Sequence, residues 1–322
     1  MMAGIGIAIG TGGVVRGQAA FAPLRPLLAE VAALGYSHAE LGSAKSLGII
    51  VGGRLQPQRL AALQTALAGC PVRLTLHGSA VSSTLVGNLM DVAGPILRAI
   101  VGADLALAAA IGAEVVVYHR GMPGIPYADG DALALALAAE RDALRALGDE
   151  AGRHGIRIAV ENVHPTETRL RHQASFDLEA LGEHVARIDH PQVGICLDTG
   201  HGFLSSRFYG FDFLAQVRAI APLVNHIHLT DNLGRPLMAE DMNPDEALAL
   251  GLGDLHLLPG WGTIPLAGVF GNAFPREPII TLEIRGQFLP HAAEALATTR
   301  ALQALIPAGD AALASPTGAA AG

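Results

Sequence analysis

The sequence predicts the α/β class and, within it, a single (β/α)8 barrel. Three observations carry that expectation. Eight short apolar runs recur along the 322 residues, starting about 30 to 55 residues apart. Ala- and Leu-rich segments with helical spacing lie between them, such as Asp91–Ile111 and Ala132–His154. Six successive runs also end on, or carry near their ends, an ionisable residue. In a parallel barrel such ends converge on one face. A doubly wound open sheet is the competing architecture.

Each element has its own warrant. The first run, Ile5–Ile9, lies in an apolar N-terminus without a basic flank, so it predicts a strand rather than a signal peptide. Its glycines do not make a dinucleotide fingerprint, because Ile9 stands where the third Gly is required. No Gly-Lys-Ser/Thr phosphate loop exists either, and the glycines around Thr11 predict a tight turn. The second run, Ser37–Leu41, follows a helical segment stopped by Gly35. Val72–His77 is the third. Val115–His119, the fourth, follows a helix stopped by Gly112, and Arg157–Glu161, the fifth, a helix stopped by Gly155. Val193–Asp198, Val224–Leu229 and Ile279–Glu283 complete the set. The barrel is expected over residues 1–306. Residues 307–322 are Ala, Gly, Pro, Ser and little else, and predict a frayed tail.

Composition bounds the function. At 51% hydrophobic the chain has ample material for a core, which excludes wholesale disorder. A net charge of -8 gives no whole-chain footprint for nucleic acid. The most apolar stretch, Leu105–Tyr118, is broken by Gly112 and Glu114, so no membrane span is expected. Arg occurs 20 times and Lys once, so Schiff-base chemistry would fall to Lys45. Two cysteines, Cys70 and Cys196, make no disulfide framework and suit a reducing cytoplasm.

The run ends carry the chemistry. His77, His119, Glu161, Asp198, His228 and Glu283 occupy them. Residues two apart on a strand share a face. Thr75 with His77, Val117 with His119, Ala159 with Glu161, Cys196 with Asp198, His226 with His228, and Thr281 with Glu283 therefore point inward together. His226 and Cys196 are expected as filling beneath the site. His201 follows Asp198 by one tight turn, and Asp254-Leu255-His256 sits in the longest interval between runs. Five imidazoles and four carboxylates suit Zn²⁺, Mn²⁺, Fe²⁺ or Co²⁺ better than Ca²⁺. Burying that many carboxylates without a cation is costly, so a divalent metal is expected.

The segments Ala159-Val160-Glu161-Asn162, Leu197-Asp198-Thr199-Gly200-His201, His226-Ile227-His228-Leu229-Thr230-Asp231-Asn232 and Leu282-Glu283-Ile284-Arg285 resemble the xylose-isomerase-like TIM barrel superfamily. It includes sugar (phosphate) isomerases and epimerases and the endonuclease IV group. The resemblance runs from Ile5 to about Leu305. It implies that Glu161, Asp198, His228 and Glu283 bind one divalent metal (Mn²⁺, Zn²⁺, Co²⁺, Fe²⁺ or Mg²⁺), and that Glu161 and Glu283 also do acid–base work. It implies that His201 lies near substrate or is a further ligand. His77, His119, Asp254 and His256 match extra ligands of the endonuclease IV group, which raises the metal count to as many as three. One departure is Gly260-Trp261-Gly262, where the family usually has Gly-Glu-Gly. Trp261 then either stacks on a sugar or anchors its loop.

The expected function is a metal-dependent sugar or sugar phosphate isomerase or epimerase working through a metal-stabilised enediolate. The alternatives are a multinuclear phosphoesterase, a keto-sugar or keto-inositol dehydratase, and a sugar-binding module without activity. Arg285 and Glu40 are expected at the substrate, with a rim salt bridge as the competing role for Arg285, and His164 and Arg120 at the pocket wall. The expected partner is a small sugar or polyol rather than nucleic acid or membrane. Barrels of this kind often self-associate, which leaves a homo-oligomer open.

Overall fold

The structure, a computed structural model, describes residues 4–9, 21, 24–42, 48–79, 93–119, 130–166, 177–239 and 242–307. Lys45, Arg120, the turn around Thr11 and the expected tail at 308–322 lie outside the described residues. Eight parallel strands close into a barrel in sequence order. They are β1 (Ile5–Ile9), β2 (His38–Leu41), β3 (Arg73–His77), β4 (Ala113–His119), β5 (Arg157–Glu161), β6 (Val193–Asp198), β7 (Val224–Leu229) and β8 (Ile279–Leu282). The open-sheet alternative is thereby excluded, since β1 pairs with both β2 and β8.

Ten α-helices among the described residues surround the strands. They are α1 (Leu24–Leu34), α2 (Pro57–Leu67), α3 (Ala93–Ile111), α4 (Gly130–Arg153), α5 (Leu178–Ile188), α6 (Thr199–Tyr209), α7 (Phe213–Ile220), α8 (Pro244–Leu250), α9 (Leu266–Phe270) and α10 (Ala292–Gln303). Local chemistry sets their ends. Asp177 caps α5 by accepting from the Ala180 N–H at 2.6 Å, and Asp212 caps α7 through Ala215. Gly35, Gly112 and Gly155, expected as helix stops, all have positive φ. No helix among the described residues is long and apolar enough to cross a membrane.

The strands divide their side chains between two environments. Leu74, Leu76, Val116, Tyr118, Ile158, Val160, Ile195, Leu197, Ile227, Leu229, Ile280 and Leu282 face the helices and join the main core. Val115, Val117, Ala159, Cys196 and Ile279 form a separate cluster inside the barrel. This plug supports everything above it, because a close-packed interior transmits position rather than absorbing it. Gly6 on β1 is part of that fit: a Cβ there would lie 2.9 Å from His38 Cβ on the neighbouring strand. The small β1 wall leaves room for His38 and Glu40, both 1% exposed.

Candidate metal centre and active site

The C-terminal ends of β5 to β8 bring four donor groups together. One ligand atom each from Glu161, Asp198, His228 and Glu283 lies within 4.8 Å of the others. Strand register does the placing, since Asp198 pairs with His228 and Thr281 with His228 in the ladder. Glu283 stands one residue beyond β8, and its N–H continues the ladder to Leu229 O at 3.2 Å. His228 Nδ1 lies 3.2 Å from Glu161 Oε1 and 3.1 Å from Glu283 Oε2. The two glutamates, from the ends of β5 and β8, thus converge on one nitrogen of the imidazole.

The Asp-Thr-Gly-His segment has a physical explanation. Asp198 Oδ1 caps α6 by accepting from the His201 N–H at 2.6 Å. That leaves Oδ2 buried without a hydrogen-bond partner and free to act as a ligand atom. Thr199 Oγ1 donates to Thr230 O at 2.7 Å and so ties α6 to the chain after β7. Gly200 has no room for a side chain, because a Cβ there would sit 2.7 Å from Thr230 Cγ2. Asn162 clamps β5 to β6: its amide donates to Asp198 O at 2.9 Å and its carbonyl accepts from Asp198 N at 2.8 Å.

The remaining imidazoles gather at the same mouth. His119 Nε2 is 2.7 Å from Glu161 Oε2, and His77 Nε2 is 3.7 Å from it. The two Nε2 atoms are 3.1 Å apart. His201 Nε2 and His256 Nε2 both face Asp254 Oδ2, at 3.3 and 2.6 Å. His164 packs its ring on His201 with centroids 4.8 Å apart. Backbone carbonyls hold the outer edges of three rings: His77 Nδ1 donates to Gly78 O, His201 Nδ1 to Asn162 O and His256 Nδ1 to Glu283 O. A carbonyl only accepts, so those three Nδ1 atoms carry protons and each ring turns its Nε2 inward.

The electrostatics favour positive charge. Burial raises the Glu161 carboxyl, but His119 and His228 outweigh it and hold the group well below the usual range. Burial likewise raises Glu283, yet His228 and His256 bring it down to about 2. Burial pushes Asp198 up to about 7, helped by Asp254, Glu161 and Glu283. On the imidazole side, burial lowers His201 and His228, but the carboxylates prevail. His201 rises to about 10, and His228 stands well above its ordinary value. His119 goes the other way, lowered by burial despite Glu161.

These features fit a divalent cation. Asp198 Oδ2 and Asp254 Oδ1 are buried oxygens without hydrogen-bond partners. The Nε2 atoms of His77 and His119 face each other 3.1 Å apart. The mixed nitrogen and oxygen donor set suits Zn²⁺, Mn²⁺, Fe²⁺ or Co²⁺.

Three residues expected at the substrate have protein partners. Glu40 is not at the mouth: it lies beneath His228, where its carboxylate accepts from Thr75, His226 and His228. Packing inside the barrel turns it toward those groups. Arg285 grips backbone, donating to Pro244 O at 3.0 Å and Asp254 O at 3.3 Å, which holds the Asp254–His256 segment against β8. Trp261 donates from Nε1 to Glu294 at 2.9 Å and packs on Phe288 and His291, while staying 42% exposed. His226 and Cys196 are fully buried beneath the site. Asp231 was not singled out from the sequence. Its carboxylate collects the N–H groups of Asn232, Gly260, Gly262 and Ile264, and so shapes the loop that carries Trp261.

Solved structures share this architecture. A D-tagatose 3-epimerase-like protein superposes with a TM-score of 0.63 at 18% identity, covering 94% of this chain and 98% of that one. A D-psicose 3-epimerase crystallised with D-fructose gives a TM-score of 0.64 at 15% identity, covering 93% and 99%. The 3-keto-D-glucoside 4-epimerase of E. coli gives 0.58 at 16% identity, covering 94% and 100%. At these identities the likeness speaks to fold. No curated protein matches the sequence. The family model described as xylose isomerase-like TIM barrel matches residues 28–303, and the chain belongs to that family.

Proposed function

We propose that this protein is a divalent-metal-dependent sugar isomerase or epimerase. The observation that carries this reading is the pair Glu161 and Glu283 converging on His228 Nδ1 from different strand ends, with Asp198 completing the cluster. Glu161, Asp198, His228 and Glu283 would hold the metal, which when bound supplies Lewis-acid polarisation of a sugar carbonyl. The carboxylates do the proton work. One of Glu161 and Glu283 takes the proton from the carbon beside the carbonyl, leaving an enediolate. In an isomerisation the carboxyl that took the proton returns it to the adjacent carbon, and in an epimerisation the other glutamate takes up a proton from solvent and delivers it to the opposite face. Two acids facing one substrate from different strands suit that division. The Glu283 side chain is 24% exposed and that of Glu161 0%, so Glu283 stands nearer the entrance. Structural neighbours named for D-tagatose, D-psicose and 3-keto-D-glucoside support a ketose or keto-sugar as the substrate class. Two free cysteines, Cys70 and Cys196, support a reducing, cytoplasmic setting.

The test is solvent exchange. Ketohexoses incubated with the Mn²⁺-treated protein in D₂O should gain deuterium at the carbon next to the carbonyl. Absence of exchange across D-fructose, D-psicose and D-tagatose would count against the proposal.

A second reading has its own support. His77, His119 and Glu161 form one further donor group and His164, His201 and Asp254 another, with His256 also on Asp254. A two- or three-metal centre of this kind would serve phosphoester hydrolysis. Metal content divides the two: about one ion per chain supports the isomerase, and about three supports the hydrolase. A dehydratase would share the proton abstraction and differ in eliminating water.

A further inference from the structure

The five imidazoles expected as ligands, His77, His119, His201, His228 and His256, do not share one kind of support. His77, His201 and His256 give their outer N–H to backbone carbonyls, and His119 Nδ1 is buried without a partner. Among the described residues, only His228 of the five is backed by a side chain. Its Nε2 lies 2.9 Å from Glu40 Oε1, inside the barrel, while its Nδ1 faces Glu161 and Glu283. Glu40 is itself fixed, 1% exposed, with Oε2 accepting from Thr75 Oγ1 at 2.9 Å and from His226 Nε2 at 3.0 Å.

We infer that Glu40 is a positioning residue: it holds the His228 Nε2–H, and so keeps Nδ1 as the atom that His228 presents to a divalent cation. A carboxylate behind a ligating imidazole fixes the ring's orientation and its tautomer and strengthens it as a donor. The inference rests on the proposed metal role of His228 and adds the group that directs it. The partners explain why the acid is needed. Oε1 must accept from His228 while Oε2 accepts from both Thr75 and His226, and only a carboxylate offers acceptors on both sides.

Glutamine in place of Glu40 separates hydrogen bonding from charge. Its carbonyl oxygen can accept from His228 Nε2 while its NH₂ faces His226. His226 can move its own proton to Nδ1, which has no partner at present, and accept with Nε2. The Thr75 hydroxyl can turn to accept from the same NH₂. Leucine at this position offers no acceptor and leaves His228 Nε2–H unpaired in a dry interior.

The experiment uses the full chain labelled with ¹⁵N-histidine. The His228 signals are assigned by their loss in His228→Gln. Zn²⁺ affinity is measured by titration calorimetry alongside. The expected result is a His228 Nε2–H resonance, slow to exchange, in the cation-free protein and after Zn²⁺ addition. It should persist in Glu40→Gln and vanish in Glu40→Leu. Zn²⁺ affinity should fall roughly 10- to 100-fold in Glu40→Leu and by less than about tenfold in Glu40→Gln. An unchanged resonance and affinity in Glu40→Leu would overturn the inference. Equal losses in both variants would also overturn it, because charge alone would then account for the effect. If wild-type protein bound no Zn²⁺ through His228, the proposed metal role would fail, and the cation-free spectra would still decide whether Glu40 holds the proton.

Discussion

Replacing Glu161 with Gln removes the charge and the proton-accepting oxygen while keeping the side-chain shape. Turnover should fall by about 10²–10⁴-fold, with cooperative unfolding retained. Full activity in that variant would remove Glu161 from the chemistry. The same cluster predicts a pH effect on metal binding. His228 holds its proton at neutral pH because its carboxylate neighbours outweigh burial, and Nδ1 must lose that proton to ligate. Binding therefore releases protons, and affinity should rise with pH. Calorimetry in buffers of different ionisation enthalpy would show the release, and none would contradict it. Asp104, behind the His77–Ser79 segment, offers a second titration. Burial raises its carboxyl to about 6, against hydrogen bonds from the Ser79 N–H and hydroxyl. Between the ordinary carboxylate range and about 6, the folded chain holds that proton more tightly than the unfolded chain. Stability contributed by this group thus falls as pH rises through that window, by roughly 2–3 kcal/mol in all. Asp104→Asn keeps an acceptor for Ser79 N and a donor for its hydroxyl. It should be more stable than wild type above pH about 6 and not below it, as read by urea unfolding at several pH values.

At the scale of elements, the strands were legible and the connections less so. A period of two marked inward and outward faces, and every inward pair expected from Thr75 and His77 to Thr281 and Glu283 lies on the barrel's inner face, because one strand's alternation is a local property. Glu40 shows the limit. Its place on β2 was readable, but its direction depends on His226 and His228, more than 180 residues away in sequence. Arg285 and Trp261 show the same limit, since their partners Pro244, Asp254 and Glu294 come from other segments. Asp231 had a signal in the polar Asp231-Asn232 pair after an apolar strand, though nothing local pointed to the loop at 260–264. That loop supplies a test. Asp231→Ala would leave the N–H groups of Gly260, Gly262 and Ile264 without their acceptor, at a cost of roughly 1–3 kcal/mol. Trp261 is the sole tryptophan, so its emission should shift before the helical circular dichroism signal is lost. Simultaneous loss of both signals, at wild-type denaturant concentrations, would show that Asp231 does not organise the loop.

For the whole molecule, closure of the sheet converts distant strand ends into one site. Residues as far apart as Glu40 and Glu283 become parts of one buried network only because β1 pairs with both β2 and β8. The sequence showed the repeated unit and the polar strand ends. It did not show which donors share an oxygen, such as the contact of both His77 and His119 with Glu161 Oε2, since that follows from barrel curvature. A ligand that binds only the closed barrel stabilises it globally. Removing bound metal with a chelator should lower the unfolding free energy by about 2.7 kcal/mol if the metal had been present at 100 times its dissociation constant. The most direct test of the account is anomalous diffraction from crystals grown with Mn²⁺. The account predicts a peak enclosed by Glu161, Asp198, His228 and Glu283. A Mn²⁺-containing crystal with no peak among those four residues would contradict it.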